Sequence, residues 1–347
     1  VDPSGLTPAF LSDVLGAEVV AVEQSRVGTG QVGMNVRCRL TYAGARPDHL
    51  PESVVAKLPS DDPTSRAVGL ALRNYEREVG FYRELAPTVD VRSPRCWFAD
   101  RDDTTGDFVL VLEDLAPAVQ GDQIAGCGVE HAALALTELA ALHAPRWGDA
   151  SLAAIEWLQR REPGDLERLQ ALYDGCLEPF VARYGARLTP EQVDLARRFS
   201  ARIGAFLALG VPPFTVTHGD YRLDNLLFGT ADGGYPVAVV DWQTPGLGVA
   251  FSDLAYFCGA GLRTEDRRTH ERDLVQHYCD ELRGRGVDVG PDACWAGYRR
   301  FAFSGVIMSV VASMIVGQTE RGDDMFVAMG SRHLQHALDL DSLTALG

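Results

Sequence analysis

Alternation of apolar and polar positions organises the first third of the chain. Glu18 to Val27 and Met34 to Thr41 read as strands, the second with Val36, Cys38 and Leu40 on one face and Asn35, Arg37 and Arg39 on the other. Ser53 to Leu58 is a shorter apolar strand, and Ser65 to Leu85 carries a helical period that ends near Pro87. Two further strands are predicted near Pro94 to Asp100 and Phe108 to Glu113. From Val129 onward the period is helical, over 129–144, 165–184, 189–209, 266–284, 291–316 and 323–340, interrupted by short apolar strands at Leu226 to Phe228 and Pro236 to Val240. The Gly-, Pro- and Ala-rich stretch from Asp114 to Gly128 reads as the join. Strands first and helices afterwards is an α+β pattern, predicting two lobes, 1–115 and 116–347.

Composition narrows this picture. A chain of 347 residues, 46% hydrophobic and 23% charged, is long enough for two lobes with cores of their own. The formal charge of -16 would repel a phosphate backbone, so nucleic acid is not an expected partner. The longest apolar run, Phe301 to Gly317, is broken by serines and glycines and is short for a bilayer span, so it is expected to be a buried helix rather than a membrane segment. No signal-like segment opens the sequence, and a cytoplasmic location is the expectation. The seven Cys are scattered without a C-x-x-C pair and are expected to be reduced thiols.

Among the 32 Lys and Arg residues only Lys57 is lysine. It ends the apolar strand Val54-Val55-Ala56-Lys57, where an uncompensated ammonium would cost several kcal/mol, so it needs an anion. A compact ammonium on a flexible stem can reach phosphates and a carboxylate together, which a planar guanidinium does less well. The downstream helix offers Glu76 and Glu78, of which Glu78 is the favoured partner. Upstream, Gly28, Gly30 and Gly33 form G-x-G-x-x-G. A two-residue period follows it instead of a helix, which suits a strand-turn-strand flap over phosphates better than a dinucleotide fold.

The most specific pattern is His218-Gly219-Asp220-Tyr221-Arg222-Leu223-Asp224-Asn225, followed by Val239-Val240-Asp241-Trp242. Phosphoryl transfer needs an aligned acceptor hydroxyl and cations that neutralise phosphate charge. Asp220 can accept the hydroxyl proton, while Asn225 and Asp241 supply hard oxygen ligands suited to magnesium.

Over roughly residues 25 to 260 these motifs resemble the aminoglycoside phosphotransferase and choline kinase group, including its ecdysteroid-kinase-like branch, within the protein-kinase-like fold. The resemblance implies a two-lobed fold with a nucleotide-binding first lobe and a helical second lobe that carries catalysis and substrate. It implies ATP and Mg2+, with Asp220 as base, Asn225 and Asp241 on the metal, and Lys57 with Glu78 on the ATP phosphates. It also implies His218 as a brace of the catalytic loop, Asp253 as its anchor, and backbone groups near Glu113 and Leu115 as the adenine hinge. His143 is expected to be a packing residue. Gly248-Val249-Ala250 stands where aminoglycoside enzymes usually show Gly-Asp-Pro, and Asp241-Trp242-Gln243 looks closer to the ecdysteroid-kinase-like branch.

A small hydroxyl-bearing molecule is therefore the expected partner. The acceptor is expected near Trp242, Tyr256, Trp295, Asp323 and Asp324. The stretch from Asp241 to Asp253 is too short for a segment that docks a peptide. A kinase-fold scaffold without turnover and a nucleotide-dependent oxidoreductase are the competing readings; the first would be favoured by loss of Asp220 or Asn225, and the second needs a helix after Gly33.

Overall fold

The computed structural model describes residues 2–28, 33–160, 162 and 164–347. After α1 (Pro8–Leu15) come β1 (Val19–Val27), β2 (Gly33–Tyr42), β3 (Ser53–Pro59), α2 (Pro63–Ala71), α3 (Asn74–Gly80), β4 (Cys96–Arg101) and β5 (Phe108–Glu113). The five strands form one antiparallel sheet in the order β1-β2-β3-β5-β4. Its register puts Lys57 opposite Asn35 on one side and Leu110 on the other. One face, with Val36, Cys38, Val54, Ala56 and Leu58, is buried with Leu11 and Leu15 of α1. Because side chains alternate along a strand, Lys57 emerges on the other face.

The remainder is mainly helical. It comprises β6 (Val119–Gln120), α4 (Val129–His143), α5 (Asp165–Tyr184), α6 (Pro190–Ser200), α7 (Ile203–Ala208), β7 (Thr215–Thr217), β8 (Leu226–Thr230), β9 (Gly233–Val239) and β10 (Gly246–Gly248). Then follow α8 (Phe251–Gly261), α9 (Thr264–Gly284), α10 (Pro291–Arg300), α11 (Phe303–Ile315), α12 (Glu320–Asp339) and α13 (Ser342–Ala345). A second, larger core runs through these helices and continues into Tyr75, Val79, Leu110 and Leu112. This is the α+β architecture expected from the order of periods, with an antiparallel sheet first and helices after it. Among the described residues no helix is long and apolar enough to cross a membrane.

Three predicted helices are each two. The 65–85 helix breaks at Leu72 and Arg73, the latter at φ 56. Leu70 and Leu72, which extended the apolar pattern, are exposed, and the break lets α3 turn Tyr75, Glu78 and Val79 inward. The 189–209 helix breaks at Ala201 and Arg202, and the 291–316 helix at Phe301 and Ala302. In the second case both halves touch α8, but α10 also packs on α9 while α11 packs on α5 and α12. β7 and β10 carry no readable period at three residues each, yet they pair with one another around the loop that follows Thr217.

Candidate active site

Lys57 is the meeting point of three distant segments. Its Nζ lies 2.7 Å from Glu78 Oε1 on α3 and 2.7 Å from Asp241 Oδ1 just past β9. Glu76 instead pairs with Arg73 near the surface. Burial opposes the charge on Lys57, but Asp241 and Glu78 together outweigh it and hold the ammonium above its ordinary value. Burial likewise opposes the charge on Asp241, where the Lys57 ammonium wins and keeps the carboxyl below the usual range. Glu78 is 1% exposed, and there burial prevails and pushes the carboxyl up. Phe81, just beyond α3, stacks on Trp242 at 3.7 Å, which locks the segment bearing Glu78 against the one bearing Asp241.

The loop after β7 holds Asp220 from several directions. Asn225 Nδ2 donates to Asp220 Oδ2 at 3.0 Å and to its backbone oxygen at 2.9 Å. His218 donates from Nε2 to Val240 O at 3.1 Å and accepts the Asp220 N–H on Nδ1 at 3.2 Å, so its two nitrogens tie the loop to the strand leading into Asp241. Asp253, in the first turn of α8, accepts the N–H groups of His218 at 2.7 Å and Gly219 at 3.1 Å. Gly219 has φ 79, and a Cβ there would lie 2.4 Å from Thr244 O, so both conformation and space require glycine. His143 is more than packing: it is fully buried, its Nε2 meets Asp253 at 3.3 Å and its Nδ1 meets the Tyr278 hydroxyl at 2.6 Å.

Asp241 adopts φ 67, a left-handed conformation uncommon outside glycine, and its side chain is 37% exposed although its neighbours are buried. Asn225 is fixed through Nδ2, which leaves Oδ1 as the atom free to ligate, and the Val240 N–H donates to Asn225 O at 3.0 Å. Two hard oxygen donors beside a lysine suit a divalent cation such as magnesium whose other ligands are water and phosphate. Among the described residues no group of three or more His, Cys, Asp or Glu side chains forms a metal cluster.

Gly28 follows β1 with φ 73, and Gly33 opens β2 with its missing Cβ position 3.3 Å from Lys57 Cε. Gly30 lies outside the described residues. Glu113 ends β5; its N–H donates to Arg95 O at 2.8 Å and its carboxylate accepts from Arg92 and Tyr235. Leu115 O accepts from Ala118 N at 2.9 Å.

The profile of the phosphotransferase enzyme family, APH, matches residues 53–288, more than half of the chain. The chain belongs to that family. Solved structures with the same fold include choline kinase from Cryptosporidium parvum (TM-score 0.59, 11% identity, 93% of this chain and 91% of that one). A microcompartment-associated aminopropanol kinase aligns at TM-score 0.55 and 14% identity over 96% of this chain and 98% of its own. The GDP complex of aminoglycoside 2'-phosphotransferase-IIIa aligns at 0.55 and 14% over 96% and 99%. In sequence the chain resembles Acyl-CoA dehydrogenase family member 10 of Mus musculus, 30% identical over 118 residues, which is 30% of this chain and 11% of that protein. It also resembles Uncharacterized oxidoreductase dhs-27 of Caenorhabditis elegans, 23% identical over 235 residues, which is 62% of this chain and 28% of that protein. The chain thus spans only a minor part of the curated relatives it matches. The phosphotransferase family assignment stands at the level of the whole family and carries no ecdysteroid-kinase-like branch.

Three residues of this candidate site, Arg222, Asp224 and Gln123, escaped the sequence reading, and Tyr256 was expected only near the acceptor. Arg222 donates from Nε to Asp220 Oδ2 at 3.0 Å and from Nη1 to Asp224. Tyr256 donates its hydroxyl to Asp220 Oδ1 at 2.8 Å. Burial and then the Asp220 carboxylate push that phenol well above its ordinary value, so it stays a neutral donor. Buried Gln123 receives the Leu223 N–H at 2.9 Å and donates its own N–H to Asp224 Oδ1 at 3.1 Å. Arg222 and Asp224 stood inside the recognised motif and only their charge marked them. Of the expected acceptor residues only Tyr256 touches Asp220. Trp242 is fully buried against Phe81, Trp295 lies under Arg272, Asp323 accepts from Tyr184, and Asp324 accepts from Arg187.

Proposed function

We propose that the protein transfers the γ-phosphoryl group of ATP to a hydroxyl of a small molecule. The observation that carries this reading is the convergence of Lys57, Glu78 and Asp241 beside a loop that fixes Asp220 and Asn225. In the reaction the acceptor oxygen bonds to the γ-phosphorus, its proton passes to Asp220, the bond from that phosphorus to the β–γ bridging oxygen breaks, and ADP leaves. Lys57, oriented by Glu78, positions the phosphates, and the flap of Gly28, Gly30 and Gly33 covers them. Backbone groups near Glu113 and Leu115 hold the base. Asn225 and Asp241 hold Mg2+, which neutralises phosphate charge when bound. His218 and Asp253 brace the loop. The site calls for no peptide, nucleic acid or membrane, and the cytoplasm supplies ATP and magnesium together.

The test is ADP release with MgATP across a panel of alcohols, amino alcohols and sugars, for the wild type and Asp220→Asn. Turnover confined to the wild type, with ATP binding retained in both, is expected. Equal turnover by the variant would remove Asp220 as base. ATP binding by a wild type that turns over no acceptor and hydrolyses no ATP would favour a scaffold.

A further inference from the structure

Asp220 is not equally occupied at its two oxygens. Among the described residues Oδ2 receives both Asn225 Nδ2 and Arg222 Nε at 3.0 Å, whereas Oδ1 receives the Tyr256 hydroxyl alone at 2.8 Å. A carboxylate oxygen has two lone pairs, so Oδ1, the oxygen beside Tyr256, keeps one for an incoming proton.

That side is apolar. Tyr256, Ala260 and Met329 form a small buried cluster separate from the main cores, and half-buried Met308 and Met325 pack against it. Three of the five methionines of the chain therefore gather there. Met325 Sδ also lies 3.4 Å from Arg222 Nη1, which places the cluster against the group that holds Asp220. Methionine side chains adapt to irregular apolar ligands. The nearby acids are already engaged: Asp224 by Arg222, Asp323 by Tyr184 and Gln318, and Asp324 by Arg187. Arg321 adds a further positive group 3.7 Å from Asp224. Apart from Oδ1 of Asp220, an ammonium would meet guanidinium groups and thioethers there.

Resting on the phosphotransfer reading above, we infer that the acceptor is an alcohol with an apolar body, which packs on Met308, Met325 and Tyr256 and presents its hydroxyl to Asp220 Oδ1. A polycationic sugar or a quaternary amino alcohol does not suit this surface.

The experiment compares primary and secondary alkanols of four to eight carbons with choline and kanamycin, each with MgATP, by ADP release. kcat/KM is expected to climb about three- to fourfold per added methylene, the value of one buried CH2. Met308→Asp is expected to lower kcat/KM for the longest alkanols about tenfold or more, leaving the KM for ATP unchanged. Met325→Gln, milder in volume and charge, gives the same direction should the first variant misfold. Preference for choline or kanamycin, or a rate independent of chain length, overturns the inference. Should no acceptor turn over, calorimetry decides. Binding of 1-octanol that Met308→Asp abolishes upholds the apolar site, and MgATP binding without octanol binding overturns it. Absence of MgATP binding sinks the phosphotransfer reading itself.

Discussion

Acid should destabilise this protein through two histidines behind the active site. His333 and His336 on α12 are fully buried, and among the described residues none of their four ring nitrogens has a hydrogen-bonding partner. Gly305 and Gly259 make room for them, since a Cβ at Gly305 would lie 2.1 Å from the His333 ring and one at Gly259 2.6 Å from its Nδ1. His333 also stacks on Tyr256 at 5.3 Å, so its state bears on the residue that holds Asp220. Burial, and then the charges of Arg332 and Arg267, push His333 down to about 3 from 6.5, and burial pushes His336 down as well. The unfolded chain therefore binds protons that the folded chain refuses. Stability is complete above 6.5 and falls as the pH drops through that value. At about pH 4.5, two units below the unfolded value, His333 alone removes about 3 kcal/mol, a large share of a typical domain's stability, and His336 acts in the same direction. The assay is urea unfolding between about pH 7.5 and 4.5 for the wild type and the double variant His333→Met, His336→Met, which keeps bulk but cannot titrate. The variant should lose less stability on acidification by roughly the calculated amount. Identical pH slopes for the two proteins would refute the reasoning.

Three further outcomes follow from the same geometry. Asp253→Ala orphans the buried N–H groups of His218 and Gly219 and should lower unfolding free energy by ~3 kcal/mol and kcat with it; a loss below ~1 kcal/mol in chemical denaturation would contradict the anchor role. Gly219→Ala must accept φ 79 and a contact with Thr244 O, and should cost about 2–4 kcal/mol, read as a lowered melting temperature. Lys57→Met leaves Glu78 buried without its cation. Because burial already raises that carboxyl, the folded variant gains from protonation, and the ~3–5 kcal/mol loss near pH 8 should shrink toward pH 5; a pH-independent loss would argue against a buried Glu78 charge.

Much of this was decided by the sequence alone. Period-two alternation with a turn between β1 and β2, and the helical period after Val129, express which face must leave water, and that is a local property of side chains. The lone Lys57 and the motif from His218 to Asn225 marked the candidate site in the sequence, because so few residue types can neutralise phosphate charge and take a proton. The break in the 65–85 helix could not be read, because an exposed Leu70 or Leu72 continues an apolar pattern as well as a buried one does. β7 and β10 are too short to carry a period. Tertiary structure alone decided that Tyr256 and Arg222 divide the two oxygens of Asp220 between them, and that His143 braces Asp253. It also decided that Met308 of α11 meets Met325 and Met329 of α12 beside Tyr256. Each of these depends on how separate segments pack, and packing partners leave no trace in the spacing of either segment.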